Sequence, residues 1–356
     1  MLGDIEKIIE AGTRAPSGDN SQPWKFVVVN NIIEVYNLPE KDNPIFNYKQ
    51  RGSYVAHGAL LENIVITAKE LGYRADIELF PKKDEADLIS IVKLTKADLQ
   101  KDPLYPYIWT RSINRKKYKS IPLTSEQKDY LLKTQEKING VKILFNEKPE
   151  DKKILGSAVS KNEVVMLENK QLHNYFFNDI RWTEEEEKEH KNGLYLKTME
   201  LTPPQVLIFK LLSSWKKAKF LTKLGLAKFI AKENAKIYSS GAVIGLINVS
   251  KTATKEEFVS SGRAMQRLWL KTNKLGLSFH PITGIIYLVQ RILDNKNEAL
   301  SLEHVEVVRD AFSKIIKIFE VPDEEYVALL FRIGDGGRPS ALSSRMKANI
   351  KVKNNL

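Results

Sequence analysis

Two stretches of this 356-residue chain lie over each other without a gap, and they restrict the folds open to it more than any other feature. Residues 54–72 align with residues 258–276, so that Tyr54 falls on Phe258, Val55 on Val259, Gly58 on Gly262, Leu61 on Met265, Ile64 on Leu268, Leu71 on Leu275 and Gly72 on Gly276. In each copy the apolar residues recur at helical spacing and a glycine follows as a C-terminal stop. Amphipathic helices do align by chance, but paired glycines at both ends of the match argue for duplication. A repeat at this separation predicts two halves packed as the subunits of a two-fold dimer pack, rather than a solenoid.

Around these helices the sequence changes period. Residues 2–12 read as a short helix with Ile5, Ile8 and Ile9 on one face and Gly12 as its stop. Residues 25–29 and 32–38 are β-rich runs joined by Asn30-Asn31, a connection suited to a hairpin. Residues 75–80 and 87–94 alternate like two further strands, and the first unit closes near Leu99. Thr124 caps a helix at 123–137, with Gln127 three residues on as in a capping box. Strands follow at 141–147, 241–249 and 326–333, a helical stretch at 154–177, and a long helix at 255–275. The fold class expected is α+β, with residues 1–100 as one half and 101–356 as the other.

Residues 203–236 interleave Leu, Ile, Phe and Trp with Lys210, Lys216, Lys217, Lys219, Lys223, Lys228, Lys232 and Lys236. They read as one or two basic amphipathic helices inside an insert at about 183–236. A membrane-surface role fits such a pattern, but a mobile cover over the protein's own core or site is the preferred reading. The acidic run Glu184 to Glu187 reads as a solvated helix face. The net charge of +12 is spread along the whole chain with no nucleic-acid-binding motif, so no nucleic-acid partner is expected. With no cysteine and no secretory leader, and no apolar run long enough to span a bilayer, the expected location is the cytoplasm.

Five histidines, at 57, 173, 190, 280 and 304, form no metal-ligand spacing, so no metal is expected. Elbow, Walker and Rossmann motifs are missing as well. Three polar stretches remain. Residues 14–24 form a loop bracketed by Pro16 and Pro23, whose Ser17, Asp19, Asn20, Ser21 and Gln22 can grip a flat polar ligand or simply make a turn. Arg111 and Arg115 suit forked bonds to a phosphate, or surface ion pairs. Residues 277–284, with Pro281 and Gly284, predict an irregular backbone whose amides can meet the edge of a planar ring.

Taken together, these stretches resemble the nitroreductase family of FMN-dependent oxidoreductases. Residues 15–24, Ala-Pro-Ser-Gly-Asp-Asn-Ser-Gln-Pro-Trp, are similar to the family's flavin-side loop, and Arg111-Ser-Ile-Asn-Arg115 is similar to its phosphate motif. Residues 276–284 resemble the segment facing the flavin ring, and Arg332-Ile-Gly334 through Arg345 the C-terminal strand and phosphate-side tail. The order of the motifs is closest to the fused, double-length Acg-type proteins. The resemblance implies a nitroreductase-like fold, an intramolecular pseudo-dimer that is a monomer or pairs again, and one FMN per chain.

It further implies that Arg111, Arg115 and Arg345 hold the phosphate. Arg14, Ser17, Asn20 and Gln22 would contact the ribityl chain or ring edge, and His280, Pro281, Ile282 and Gly284 would tune the ring. Ile113 stands where a Ser or Thr would touch phosphate, which leaves that contact to Ser112 or Asn114. NADPH or NADH would supply hydride for a small acceptor of nitroaromatic or quinone type, with no dedicated acid-base residue. The alternatives are a non-enzymatic FMN-sequestering protein under a closed lid, or an oxygen-dependent flavin-cleaving enzyme.

Overall fold

The structure is a computed structural model that describes residues 2–353. In chain order it contains α1 (Leu2–Thr13), β1 (Trp24–Val29), β2 (Ile32–Asn37), α2 (Arg51–Glu70), β3 (Tyr73–Leu79), β4 (Leu88–Lys96), α3 (Tyr105–Thr110), α4 (Ser125–Leu132) and β5 (Lys142–Asn146). The middle of the chain holds α5 (Pro149–Val159), α6 (Lys161–Glu168), α7 (Lys170–Asn178), β6 (Ile180–Arg181), α8 (Glu184–His190), β7 (Leu194–Tyr195), α9 (Pro203–Leu212), α10 (Trp215–Lys223) and α11 (Leu226–Tyr238). It closes with β8 (Val243–Ser250), α12 (Lys255–Lys274), β9 (Ser278–Ile282), α13 (Gly284–Leu293), α14 (Leu302–Phe319), β10 (Glu325–Gly334) and β11 (Ile350–Val352).

The expected α+β class holds. The strands form a five-stranded sheet, in the order β11-β1-β2-β4-β3, a four-stranded sheet, in the order β5-β8-β10-β9, and a small parallel pair, β6-β7. Asn30, at φ 54°, turns the β1–β2 hairpin. The Thr124–Gln127 capping box forms as expected, with both reciprocal bonds present.

Several expectations change. Gly12 is not a stop: α1 runs on to Thr13, and a Cβ on Gly12 would lie 3.0 Å from Ile64 Cγ1, so this glycine lets α1 approach α2. The stretch at 154–177 is three helices, α5 to α7, and the basic insert is also three, α9 to α11. Residues 278–282 are a regular strand rather than irregular backbone; β9 is the edge of its sheet, where Pro281 removes no needed donor. Of the acidic run, Glu187 is buried and its Oε1 accepts the Ser344 amide at 2.5 Å.

The repeated helices, α2 and α12, cross at the centre. A Cβ on Gly58 would fall inside 3.0 Å of Val259 O, Gly262 Cα and Arg263 N, and one on Gly262 would fall inside 3.0 Å of Val55 O, C and Cα. Gly58 therefore faces Val259 as Gly262 faces Val55. One turn on, the pattern repeats with different chemistry. Glu62 accepts from Arg267 Nε at 2.5 Å, while the positions aligned with them, Gln266 and Asn63, bond at 2.7 Å. Contacts in which i meets j and j meets i are the signature of a two-fold interface. Tight backbone approach excludes any side chain at the crossing, which is why glycine recurs there.

One apolar core runs through this crossing, from Ile5, Phe26 and Ile33 beside the first sheet to Trp269, Phe279 and Phe331 beside the second. The chain also reaches back on itself at its end. β11 adds parallel to β1, with Phe26 N donating to Asn349 O at 2.8 Å and Lys353 N to Val28 O at 2.9 Å, so the last strand completes the first sheet.

Candidate functional site

The α1–β1 loop is held in an uncommon shape by its own side chains. Asp19, Asn20 and Gln22 all have positive φ, at 44°, 57° and 52°. Asn and Asp tolerate that region better than most residues, whereas Gln22 needs its surroundings to hold it there. Gln22 N donates to Ser17 Oγ at 2.9 Å, Gln22 Nε2 to Lys191 O at 2.8 Å, and Met346 N to Gln22 Oε1 at 2.9 Å. Asn20 Nδ2 donates to Ser344 O at 3.2 Å, and its Oδ1 accepts from Arg345 at 2.8 Å. The loop, the C-terminal tail and the α8–β7 turn are thus stitched together.

Beneath that stitching lies a cavity of about 360 Å³. It is walled by the α1–β1 loop, the start of α2, residues 108–115, α6, α7, the β9–α13 junction and the tail, and so draws on sequence from both ends of the chain. Ten of the twelve residues singled out in the sequence line it: Arg14, Ser17, Asn20, Arg111, Arg115, His280, Pro281, Ile282, Gly284 and Arg345. The other two do not. Gln22 is the clasp just described, and Asn114 Nδ2 bonds Ser278 Oγ at 3.0 Å and Gly337 O at 2.9 Å, fixing β9 against the residues after β10. Replacing Gln22 with alanine leaves the Met346 amide without its partner and the Lys191 carbonyl with only the longer bond from Asn20 Nδ2 at 3.4 Å. We expect limited proteolysis to cut faster at residues 188–200 in this variant; an unchanged cutting rate would mean the clasp is incidental.

One end of the cavity is strongly cationic. Arg111 Nη2 donates to Arg14 O at 2.6 Å and its guanidinium lies 4.4 Å from the Trp269 ring centre, while Arg345 Nη2 reaches Ala15 O at 3.3 Å. The Nε of Arg14, Arg111 and Arg345 are buried without a hydrogen-bond partner, and neither Arg111 nor Arg345 has a salt bridge among the described residues. Burial, with Arg345 beside it, pushes Arg111 well below its ordinary value; burial and Arg14 bring Arg345 down to about 10. Arg14 reaches Glu10 at 3.8 Å on its outer side, whereas Arg111 and Arg345 crowd beside it with unused donors and no carboxylate partner among the described residues, an arrangement that suits an anion.

Arg115 stands apart, donating to Thr198 O at 3.1 Å under the insert. It lies near Asp19, which burial and Asp179 raise to about 6; Asp42, further along the wall, is raised to about 7 by burial and Asp19. His280 accepts from Arg332 Nε through Nδ1 at 3.1 Å, and burial with Arg332 keeps the ring neutral. Its proton is therefore on Nε2, a donor. Arg332 is itself fixed by Ile237 O, Ser240 Oγ and Lys116 O.

Several wall residues carried no motif signal: Asp42, Trp109, Met166, Phe176, Tyr238 and Tyr287. They come from separate elements and meet only through the fold. Asp19 stood inside the motif loop but had no assigned role.

Glu163 on α6 ties the insert to the wall, accepting from Tyr238 Oη at 2.7 Å and Asn234 Nδ2 at 3.1 Å, while its Oε2 has no partner. Burial raises it to about 7 from an ordinary 4.5. The folded state therefore prefers the protonated acid, and stability present below pH 4.5 is lost as pH rises through 7. Glu163→Gln removes that loss. Thermal melting is expected to show the variant gaining on wild type from pH 5 to pH 8, by a final margin of the order of 2 kcal/mol; a pH-independent difference would contradict the assignment.

Among the described residues no group of His, Asp and Glu could hold a metal ion, and no helix is long and apolar enough to cross a membrane. What the fold presents is an α+β protein built on two main sheets, with a cationic, helix-covered cavity that draws on both ends of the described chain.

Known proteins give that description a place. The Nitroreductase family model matches residues 2–43, the segment that runs from α1 through the motif loop and hairpin. The chain is 21% identical over 355 residues, 96% of its length, to the uncharacterised Mycobacterium tuberculosis protein MT1398, of which it covers 47%. It is 24% identical over 96 residues to the acg protein of the same species, whose name assigns it provisionally as an NAD(P)H nitroreductase; the match covers 26% of this chain and 28% of that one. Among solved structures it is similar to an FMN-bound nitroreductase from Bacteroides fragilis, at 8% identity over 69% of this chain and 94% of that chain, with a TM-score of 0.36. The chain thus spans about half the length of MT1398 and about a quarter of acg. The family model carries the resemblance to the nitroreductase family over residues 2–43, and the curated relative carries the resemblance to the Acg type.

Proposed function

We propose that the cavity binds one FMN and that the chain is an NAD(P)H-dependent oxidoreductase acting on a small electrophilic acceptor of nitroaromatic or quinone type. The observation that carries the reading is the cluster of three guanidiniums at one end of the cavity, each with a buried Nε that has no hydrogen-bond partner, two of them without a carboxylate among the described residues. An anionic phosphate fits donors of that kind, and 360 Å³ suits a ligand of this class. Arg14, Arg111 and Arg345 would hold the phosphate. Arg115, Ser17 and the neutral His280 would face the polar parts of the remaining ligand, and Pro281, Ile282 and Gly284 would bound its flat face. When bound, FMN supplies the two-electron carrier that takes hydride from NADPH or NADH at N5 and yields it to the acceptor. The protein's own share is orientation, charge and exclusion of water by the α6–α7 wall and the insert.

In this reading residues 1–100 and 101–356 take the parts of two subunits. The reciprocal α2–α12 contacts and the return of β11 to the first sheet support it. Cytoplasmic location, and a single chain as the functional unit, go with the same proposal.

A specific observation favours a second reading. Lys191 O, Glu187 and the tail clasp the loop over the cavity, which suits a protein that sequesters FMN without turnover. Equilibrium dialysis against FMN tests the first step, and absence of uptake would end both readings. Stopped-flow mixing then separates them: bleaching of bound FMN by NADPH or NADH supports the oxidoreductase, whereas reduction by dithionite alone supports sequestration.

A further inference from the structure

We propose that the outer face of α9, α10 and α11 docks the protein on an anionic lipid surface. Their inner face is occupied. Leu212, Ala218 and Ala227 are buried against Met166, Leu167 and Phe177, so these helices are already anchored to the protein. The outer face is not occupied. Leu207 is 66% exposed, Phe220 63%, Leu224 70% and Phe229 58%, far more than single surface residues of this size need be.

These residues are arranged as a surface rather than scattered. Leu207 and Leu211 are one helical turn apart on α9, and Leu224, the C-cap of α10, follows Phe220 by four residues. Leu211 and Phe220 line the same shallow groove with Lys216 and Lys217, which brings the two stripes together.

Charge decides the occupant. Residues 203–236 contain eight lysines and a single acidic residue, Glu233. Among the described residues only Lys236 of those lysines is paired, to Glu233 at 2.6 Å. A second copy seated face to face would set one lysine-rich patch against another, a repulsive arrangement. An anionic bilayer answers both features at once. Apolar side chains enter the headgroup boundary, and lysine stems lie along it with their ammonium groups at the phosphates. With no helix here able to span, the helices would lie in the plane of the interface. The inference is independent of what the cavity binds.

Co-sedimentation of the full chain with vesicles tests it, using phosphatidylcholine alone and phosphatidylcholine with phosphatidylglycerol. At low salt the bound fraction is expected to rise at least roughly tenfold with the anionic lipid, and to fall as salt is added. Two variant sets separate the contributions. Leu207→Ser with Phe220→Ser and Leu224→Ser, and separately Lys216→Glu with Lys217→Glu and Lys219→Glu, should each lower binding by about tenfold while circular dichroism and melting stay at wild-type values. Failure of the wild type to bind anionic vesicles at low salt would overturn the proposal, as would binding indifferent to both sets. Concentration-dependent self-association in the ultracentrifuge, lost in the serine variant and unaccompanied by vesicle binding, would assign the face to a second copy instead.

Discussion

Gly262→Ala is expected to be among the most damaging single-methyl additions this chain can receive. Its new Cβ would sit inside 3.0 Å of three backbone atoms of Val55, and backbone cannot rotate aside as a side chain can. The helices must separate, and separation is transmitted to the Glu62–Arg267 and Asn63–Gln266 pairs one turn away. Overpacking of this kind costs about 3 kcal/mol or more. Urea unfolding should report a fall of that order for Gly262→Ala and, by the reciprocal geometry, for Gly58→Ala. Because both methyls push on one crossing, the double variant should lose less than the sum of the singles. Gly3→Ala is the control: no atom lies within 4 Å of its Cβ, and alanine in a helix should be neutral or stabilising by about 0.5–1 kcal/mol. If Gly262→Ala unfolds at the same urea concentration as Gly3→Ala, the crossing is not the keystone of the fold.

The repeat behind that crossing was legible because duplication printed its glycines twice at fixed positions, whereas the meeting of Gly58 and Gly262 in one crossing shows only in the packed structure. The β1–β2 hairpin and the Thr124 cap were legible for a similar reason: each is a local rule satisfied within a few residues. What escaped is non-local. Ile350–Val352 is three residues in a basic tail, and nothing in it reads as strand; it is one because the edge of β1 offers unpaired backbone groups. Pro281 suggested irregular backbone, since a sequence does not say that its strand will lie at an edge. Glu187 looked like one of four solvated acids, and only the approach of the tail gives it an amide to accept from. The cavity divides in the same way. Its motif loop and arginines were readable as residue types suited to a ligand, whereas Trp109, Met166, Phe176 and Tyr287 are wall residues only by virtue of where their helices pack.

Arg111→Met is expected to move stability in opposite directions with and without ligand. In the free protein the substitution keeps an apolar stem for the Trp269 face and removes a buried charge that has Arg345 for a neighbour and no carboxylate partner. An unpaired buried charge is costly, so its removal should leave the free protein as stable as wild type or raise it by about 1 kcal/mol. This gain is limited by the loss of the bond to Arg14 O at 2.6 Å. In the presence of FMN the balance reverses. A ligand at one hundred times its dissociation constant stabilises by about 2.7 kcal/mol, and that increment should shrink sharply once a phosphate-facing guanidinium is gone. Melting curves of wild type and variant with and without FMN make the comparison. A structural arginine would give the opposite pattern, a free variant that melts well below wild type and still gains the full increment from FMN. Arg345→Met should behave like Arg111→Met in sign but start lower, because Arg345 also holds Asn20 at 2.8 Å and Ala15 O at 3.3 Å, and its loss loosens the motif loop itself. A stability rise on removing an arginine, paired with loss of the ligand's own stabilisation, is what distinguishes a cation kept for an anion from one kept for the fold.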